Sequence, residues 1–384
     1  PPNLDPSPAG DWAALHRALA KRPDDRWPSV TAFVRGLLNA SGADGVRVRV
    51  AGLDTDTPTV IAVPPEGGLL GPSGSGVILA EDTPRGAGEG SNPAFTPAPP
   101  ELTGPGPLQP ALVIGLGQTG LRVLQRLRFD LEERFGPPLL TPTLRTLFVD
   151  TDADTLAQAD QPCPTDRLAG LRPDDVFSAK LNRAGHYLKP RFNGRSLTEG
   201  WFDTQLLYKI PRNPQTMGVR LFGRLAFLDH YRALMSKVQA ELDAALAPEA
   251  LLVTESNTGL RRRTNRPRVY LTGGLAGGTG GGMFLDLAYA VRSRLKRMGY
   301  DRPEVIGLFV VPPADATLTP PQALGNTYAA LTELNHYTRP DTAFAAHYDD
   351  RNGLVRDTDA PFARCYLVPG TAAPPGPVGT SPTP

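Results

Sequence analysis

Residues 269–284 constrain what this chain can fold into more than any other stretch. Val269, Tyr270, Leu271 and Thr272 read as a buried strand, and Gly273-Gly274-Leu275-Ala276-Gly277-Gly278-Thr279-Gly280-Gly281-Gly282 reads as a loop built largely of glycine. A helix is then expected to open at about Gly282 and to run through Asp286, Tyr289 and Arg292 to Arg297. A strand that delivers a glycine-rich loop onto a helix N-terminus gathers unpaired backbone N–H groups at one point. With the partial positive charge of the helix end, these suit an anion such as a phosphate. Glycine also leaves no side chain between backbone and ligand. The alternative is a flexible turn without a ligand, but a solvent turn needs no apolar strand before it and no apolar helix after it.

A second unit of the same kind lies upstream. Leu112-Val113-Ile114 is a strand, Gly115-Leu116-Gly117-Gln118-Thr119-Gly120 a tight turn, and Leu121, Leu124, Leu127 and Leu131 mark one side of a helix that Gly136-Pro137-Pro138 ends. Residues 144–149 form the next strand, which closes on Asp150. Such a βαβ unit has parallel strands and a right-handed connection. The glycine spacing is shared with dinucleotide-binding folds, so an NAD(P)-binding oxidoreductase stays open as a reading. Asp150 lies farther along, however, than the roughly 20 residues at which a ribose-binding carboxylate follows the last glycine.

Elsewhere the chain carries less chemistry. Val176, Leu181, Tyr187 and Leu188 suggest one short helix, and His186 has no second ligand at metal spacing, so it reads as a surface or hydrogen-bonded histidine. Residues 224–242 form a helix; Arg220 and Arg224 at its start are expected either to face a phosphate or to make a solvated basic rim. The cluster Arg261, Arg262, Arg263, Arg266 and Arg268 has no interleaved aromatics, which argues against nucleic acid and for a solvated approach to the central strand. Residues 304–311 are a fully apolar strand, 322–337 a helix and 365–368 a further strand. The order predicts an α/β domain over residues 111–370, a mostly parallel sheet with helices on both faces.

Formal charge is +1, from 40 basic and 39 acidic residues, so no net field steers the molecule to nucleic acid. Cys163 and Cys365 stand far apart, with no signal peptide and no apolar run long enough to span a bilayer, which points to a reducing cytoplasm and no membrane partner. Much of the excess of 42 Pro and 40 Gly falls before residue 110 and after residue 368. Residues 41–110 therefore read as a junction, with a hairpin of 46–50 against 59–63 and a disordered linker over 64–110; residues 371–384 read as a flexible tail. Residues 11–38 show two helical patterns, through Trp12, Leu15 and Leu19 and through Val30, Phe33, Val34 and Leu37, too small to bury a core alone. The chain begins at Pro1, so a fragment or processed product is expected.

Two resemblances sharpen this. Ala18-Leu19-Ala20-Lys21-Arg22-Pro23-Asp24-Asp25-Arg26-Trp27-Pro28-Ser29 resembles the closing segment of a serine/threonine protein kinase domain, which implies that Arg26 pairs with a buried glutamate of the missing part. No kinase glycine-rich loop followed by Val-Ala-x-Lys, no His-Arg-Asp and no Asp-Phe-Gly occurs, so residues 1–40 are expected to be an inactive kinase remnant.

Ala276-Gly277-Gly278-Thr279-Gly280-Gly281-Gly282 resembles the phosphate-binding signature of the tubulin and bacterial division-GTPase superfamily, in its divergent bacterial tubulin-like branch. Ala276 stands for the first glycine and Gly281 for the hydroxyl residue. Gly115 to Gly120 matches the family's first nucleotide loop. Phe148-Val149-Asp150-Thr151-Asp152 matches its second, with Asp150 in place of asparagine. Residues 321–334 resemble the helix after the sugar-binding loop, and Gly370 stands where the base-binding asparagine is expected.

The resemblance implies that GTP is held by Gly115, Gly117, Gln118, Thr119, Gly120, Asp150, Asp152, Gly277, Gly278, Thr279, Gly280, Gly281 and Gly282, with Mg²⁺ held through water by Asp150 and Asp152. It further implies a filament-forming or scaffold protein whose copies self-associate, each supplying the next with activating acidic residues from a loop after a central helix. That helix should follow residues 365–368, where the sequence instead runs into its Pro-rich tail. Little GTP hydrolysis is therefore expected of this chain alone, GTPase activity being left to a longer parent. Because the departures fall in the site itself, a catalytically silent scaffold is the third reading.

Overall fold

Alternating side chains on the strands decide what each face of the sheet packs against, and the computed structural model shows the outcome for residues 48–49, 59–62, 98–192, 195–198, 201–211, 215–314, 317–349 and 353–370. The kinase-like segment 11–38 and the tail 371–384 lie outside the described residues. In chain order the strands are β1 (Val48–Arg49), β2 (Thr59–Ala62), β3 (Ala111–Leu116), β4 (Leu144–Asp150), β5 (Val176–Ser178), β6 (Pro190–Phe192) and β7 (Arg195–Ser196). They continue with β8 (Arg268–Gly274), β9 (Glu304–Val311), β10 (Phe344–Asp349), β11 (Gly353–Asp357) and β12 (Arg364–Pro369). The helices are α1 (Gly117–Phe135), α2 (Ala153–Ala157), α3 (Ala184–Tyr187), α4 (Arg220–Leu246), α5 (Pro248–Thr258), α6 (Gly278–Arg297) and α7 (Pro321–Tyr337).

The main sheet has the order β1-β2-β12-β9-β8-β3-β4-β5. From β12 to β5 every pairing is parallel, while β2 joins β12 antiparallel and carries β1. The step β3–α1–β4 runs one way along the sheet and β8–α6–β9 the other, so right-handed crossovers set α1 and α6 on opposite faces. Burial agrees. Leu112, Ile114, Leu116, Leu147 and Val149 share one core with Phe222 and Leu225 of α4 and Leu287 and Val291 of α6. Val113 and Phe148 face Leu121 and Leu124 of α1 in the other. Chain direction across the sheet reverses between β3 and β8, the place where parallel α/β sheets leave a crevice at their C-terminal ends.

Seating α1 on β3 requires small residues at the turn. A Cβ on Gly120 would stand 2.5 Å from the Gly115 carbonyl carbon and 3.1 Å from the Thr272 oxygen. Gly120→Val should therefore overpack this contact and lower the unfolding free energy by about 3 kcal/mol, read as a lower urea midpoint.

Several expectations are corrected. Residues 176–188 do not form one helix: Val176–Ser178 pairs with Phe148, Val149 and Asp150 as the sheet's edge strand, and only Ala184–Tyr187 turns as helix. Residues 98–110 are not the end of a disordered linker but a strap laid along 261–265. Gly104 N–H donates to the Arg263 carbonyl (2.9 Å), Gly106 to Arg262 (3.1 Å) and Leu108 to Arg261 (3.1 Å). A Cβ on Gly104 would lie 2.4 Å from the Arg262 carbonyl oxygen and one on Gly106 1.7 Å from that of Arg261, which explains the glycines there. The basic cluster is thus not simply solvated: its backbone carries the strap, and Arg266 pairs with Glu101 (2.7 Å) and Arg268 with Glu304 (2.6 Å). The β10–β11 hairpin, unforeseen in the sequence, covers α6, stacking Phe344 on Tyr289 at 3.9 Å. Among the described residues no helix is long and apolar enough to cross a membrane.

Candidate functional site

A cleft of about 540 Å³ occupies the crevice where β3, β4, β8 and β9 end. Two helices begin at its wall. The positions from N-cap to third residue of α1 (Leu116, Gly117, Gln118, Thr119) and of α6 (Gly277, Gly278, Thr279, Gly280) all line it. Neither helix has a side-chain cap or an acidic residue in its first turn. The first N–H groups of both helices therefore lack intrahelical acceptors, and two partial positive charges of about half a unit meet in one place. The loop 215–218 and residues 312–313 and 318–320 close the other sides.

The helix opens at Gly278 rather than Gly282, so the glycine run is mostly helix and not loop. What the glycines accommodate also differs from expectation. A Cβ on Gly280 would meet the Gly274 oxygen at 2.6 Å, on Gly281 the Leu275 oxygen at 2.6 Å, and on Gly282 the Arg220 oxygen at 2.2 Å. These residues are small because α6 folds back tightly on its own incoming strand and on α4. Gly277 is different: its Cβ would meet nothing within 4 Å, and its φ of −84° suits any residue. Of the residues expected at the site, Gly117, Gln118, Thr119, Asp150, Asp152, Gly277, Gly278, Thr279 and Gly280 line the cleft; Gly115, Gly120, Gly281 and Gly282 are outside its wall.

Asp150 ends β4 with its Oδ1 accepting from the N–H of Thr151 (2.7 Å), the N–H of Asp152 (3.4 Å) and the hydroxyl of Thr279 (2.9 Å). The carboxylate thereby ties the end of β4 to the first turn of α6. Burial pushes its carboxyl up to about 6, with those hydrogen bonds acting in the opposite direction. Between pH ~4 and ~6 the folded chain holds a proton that the unfolded chain has released, so this group's contribution to stability falls as pH rises through that window, by about 3 kcal/mol in all. Asp150→Asn keeps an oxygen for the three donors and removes the titration. The variant is expected to match the wild type below pH ~4 and exceed it above pH ~6 in urea melts.

Asp152 caps α2, its Oδ2 accepting from Thr155 N–H (3.3 Å) and hydroxyl (2.7 Å). Its Oδ1 is buried without a hydrogen-bond partner. Among the described residues no group of three or more His, Cys, Asp or Glu could hold a metal ion. One spare carboxylate oxygen beside Asp150 fits a hard cation that keeps most of its waters, such as Mg²⁺.

Arg220 and Arg224 do not face the cleft as free charges. Arg220 Nε donates to the Gly281 carbonyl (2.8 Å), and its guanidinium pairs with Glu333. Arg224 lies over Trp201 (4.9 Å) and pairs with Asp286 (3.1 Å), whose Oδ1 accepts from the Tyr348 hydroxyl (2.6 Å); burial raises the Asp286 carboxyl. Residues 211–220 read in the sequence as a polar loop before a helix; what sequence reasoning missed is the anchor of its segment 215–218. Asn326 Nδ2 donates to the carbonyls of Gly218 (2.6 Å) and Ala276 (2.7 Å), joining that loop to the glycine loop across α7. Met217 and Gly218, both at positive φ, form the bend. A Met-Gly pair before a helix was the only local signal.

Residues 112–374 match a family model described as tubulin like. Among solved structures the chain is similar to CetZ from Methanosaeta thermophila strain DSM 6194, at 13% identity and TM-score 0.36, covering 58% of this chain and 41% of that one. It is similar also to CetZ2 from Haloferax volcanii, a GTPγS-bound protofilament, at 18% identity and TM-score 0.33, covering 58% and 45%. A GTPγS-form protofilament of TubZ from Bacillus thuringiensis serovar israelensis gives 15% identity and TM-score 0.35, covering 60% and 42%. The chain spans less than half the length of these three structures. No curated protein matches it.

Proposed function

The chain belongs to the tubulin-like family, and from that premise we propose that its cleft binds a guanine nucleotide by the phosphate chain, with Mg²⁺ held through water by Asp150 and Asp152. The observation that carries this reading is the meeting of two uncapped helix N-termini, of α1 and α6, in one cleft. Backbone N–H groups of Gly117 to Thr119 and Gly278 to Gly280 then act as phosphate donors, as helix N-termini do for anions generally. The volume lies within the range for small-molecule sites. Bound Mg²⁺ supplies charge neutralisation of the phosphates. Asp150 holds Thr279, and with it the first turn of α6, in place. Self-association into filaments and a cytoplasmic setting belong to the same reading and rest on the family.

A dinucleotide reading has less support. It would use one glycine turn and set a carboxylate on ribose hydroxyls, whereas Asp150 Oδ1 already accepts three donors and a second helix N-terminus would be left without a role.

Displacement of a fluorescent GTP analogue by GTP, ATP and NADH tests the reading. GTP should displace best and NADH not at all; direct NADH binding with no response to GTP would overturn it. Mg²⁺ should tighten GTP binding, and Asp152→Asn should weaken that Mg²⁺ effect about tenfold by removing the spare oxygen. An unchanged Mg²⁺ dependence would leave Asp152 as a helix cap alone.

A further inference from the structure

Asn326 of α7 donates from one amide nitrogen to two carbonyls, those of Gly218 (2.6 Å) and Ala276 (2.7 Å), yet it does not line the cleft itself. Two carbonyls on one nitrogen call for an amide NH₂, which asparagine carries on a side chain short enough to sit between them. The Ala276 carbonyl belongs to the peptide that also carries the N–H of Gly277, the N-cap of α6. That peptide is planar, so a bond to its oxygen fixes the direction of its N–H as well. At Gly218 the same amide holds the bend at positive φ through which the loop 215–218 turns.

The second observation is how closely that loop lies on α6. A Cβ on Gly278, the first residue of the helix, would stand 2.5 Å from the Thr216 hydroxyl oxygen and 2.9 Å from the Val219 carbonyl oxygen. Where the loop sits therefore decides how much room the helix end has. α7 secures the arrangement twice more: Gln322 Nε2 donates to the Met217 carbonyl (3.3 Å), and Glu333 pairs with Arg220, whose Nε donates to the Gly281 carbonyl (2.8 Å). Building on the nucleotide reading of the cleft, we propose that Asn326 is a positioning residue for phosphate binding: without touching the ligand, it sets the peptide at the cap of α6 and seats the loop over that helix's first residue.

Affinity for a fluorescent GTP analogue, measured on the full chain beside thermal melts and ¹⁵N-glycine spectra, tests this. Asn326→Ala keeps a good helix former, removes both bonds and is expected to weaken binding about tenfold or more. The near-isosteric Asn326→Asp sets an acceptor against two carbonyls and is expected to weaken it further. Ala330→Gly, at a buried position one turn along α7, destabilises the helix without touching either loop and should stay within about twofold of the wild type. Without nucleotide, the amide signals of Gly218 and Gly277 should move in Asn326→Ala, while those of Gly259 and Gly299 stay in place. Wild-type affinity in Asn326→Ala, unmoved Gly218 and Gly277 signals, or an equal loss in Ala330→Gly overturns the assignment. A wild type that ignores GTP, with those signals still moving in Asn326→Ala, would instead overturn the nucleotide reading and this role with it, leaving Asn326 as a tie between loops.

Discussion

Gly277→Asp is expected to make the protein more stable and unable to bind nucleotide. Gly277 is the N-cap of α6, has an extended backbone that any residue adopts, and offers open space at its Cβ. An aspartate there can accept from the N–H of Thr279 or Gly280, and such a cap contributes about 1 kcal/mol. The same carboxylate then occupies the position proposed for a phosphate and repels its charge. Loss of two charge-assisted hydrogen bonds at about 1.5–3 kcal/mol each corresponds to at least about a hundredfold in affinity. Most disabling substitutions also unfold, so the opposite signs are diagnostic. Thermal melts and GTP titrations on one preparation check it; unchanged affinity in a variant of raised melting temperature would remove the phosphate from this helix end.

Phosphate release from GTP by this chain should stay near background at every protein concentration. Binding and hydrolysis need different parts: the first uses backbone N–H groups, the second a group that holds water in line with the terminal phosphate. Three carboxylates at or near the site come into question, and all hold structural contacts, with the one buried oxygen that lacks a partner, Asp152 Oδ1, assigned above to a Mg²⁺-bound water. Asp150 Oδ1 accepts three hydrogen bonds, Asp152 caps α2, and Asp286 is enclosed between Arg224 and Tyr348. Both nearby arginines, Arg220 and Arg224, are paired with acids, and a missing arginine of that kind alone is worth about 10³–10⁵ in rate. A colorimetric phosphate assay across protein concentrations decides it. Release that rises with concentration and disappears in Asp152→Asn would show that Asp152 activates water.

The parallel core was legible because its strands are buried on both faces. Val269 to Thr272 and Val305 to Val311 are nearly unbroken apolar runs, and such runs bounded by Gly and Pro admit few other readings. The glycine run was legible as a site but not as a structure. Glycine is a poor helix former, so the sequence argued for loop through Gly282, yet contacts with Gly274, Leu275 and Arg220 leave room for no larger residue and tertiary packing overrides propensity. Local composition misled at 98–110 in the same way. The acceptors for Gly104, Gly106 and Leu108 come from residues 261–263, far along the chain, and no Pro- and Gly-rich window reveals a distant partner. Arg220 and Arg224 were ambiguous for that reason too, since Glu333 and Asp286 lie on other helices. Val176–Ser178 is too short to show a period, and only pairing with β4 makes it a strand.

Selective ¹⁵N-glycine labelling, with amide shifts followed as GTP and Mg²⁺ are added, tests the convergence of the two helix ends on one phosphate chain most directly. The glycines report from both sides of the cleft and from far outside it. Saturable shifts are expected at Gly117, Gly277, Gly278 and Gly280 together, with Gly259 and Gly299, which are absent from the cleft wall, unmoved. NADH should produce none of these shifts. Shifts at Gly117 alone, or shifts in response to NADH but not to GTP, would contradict the account.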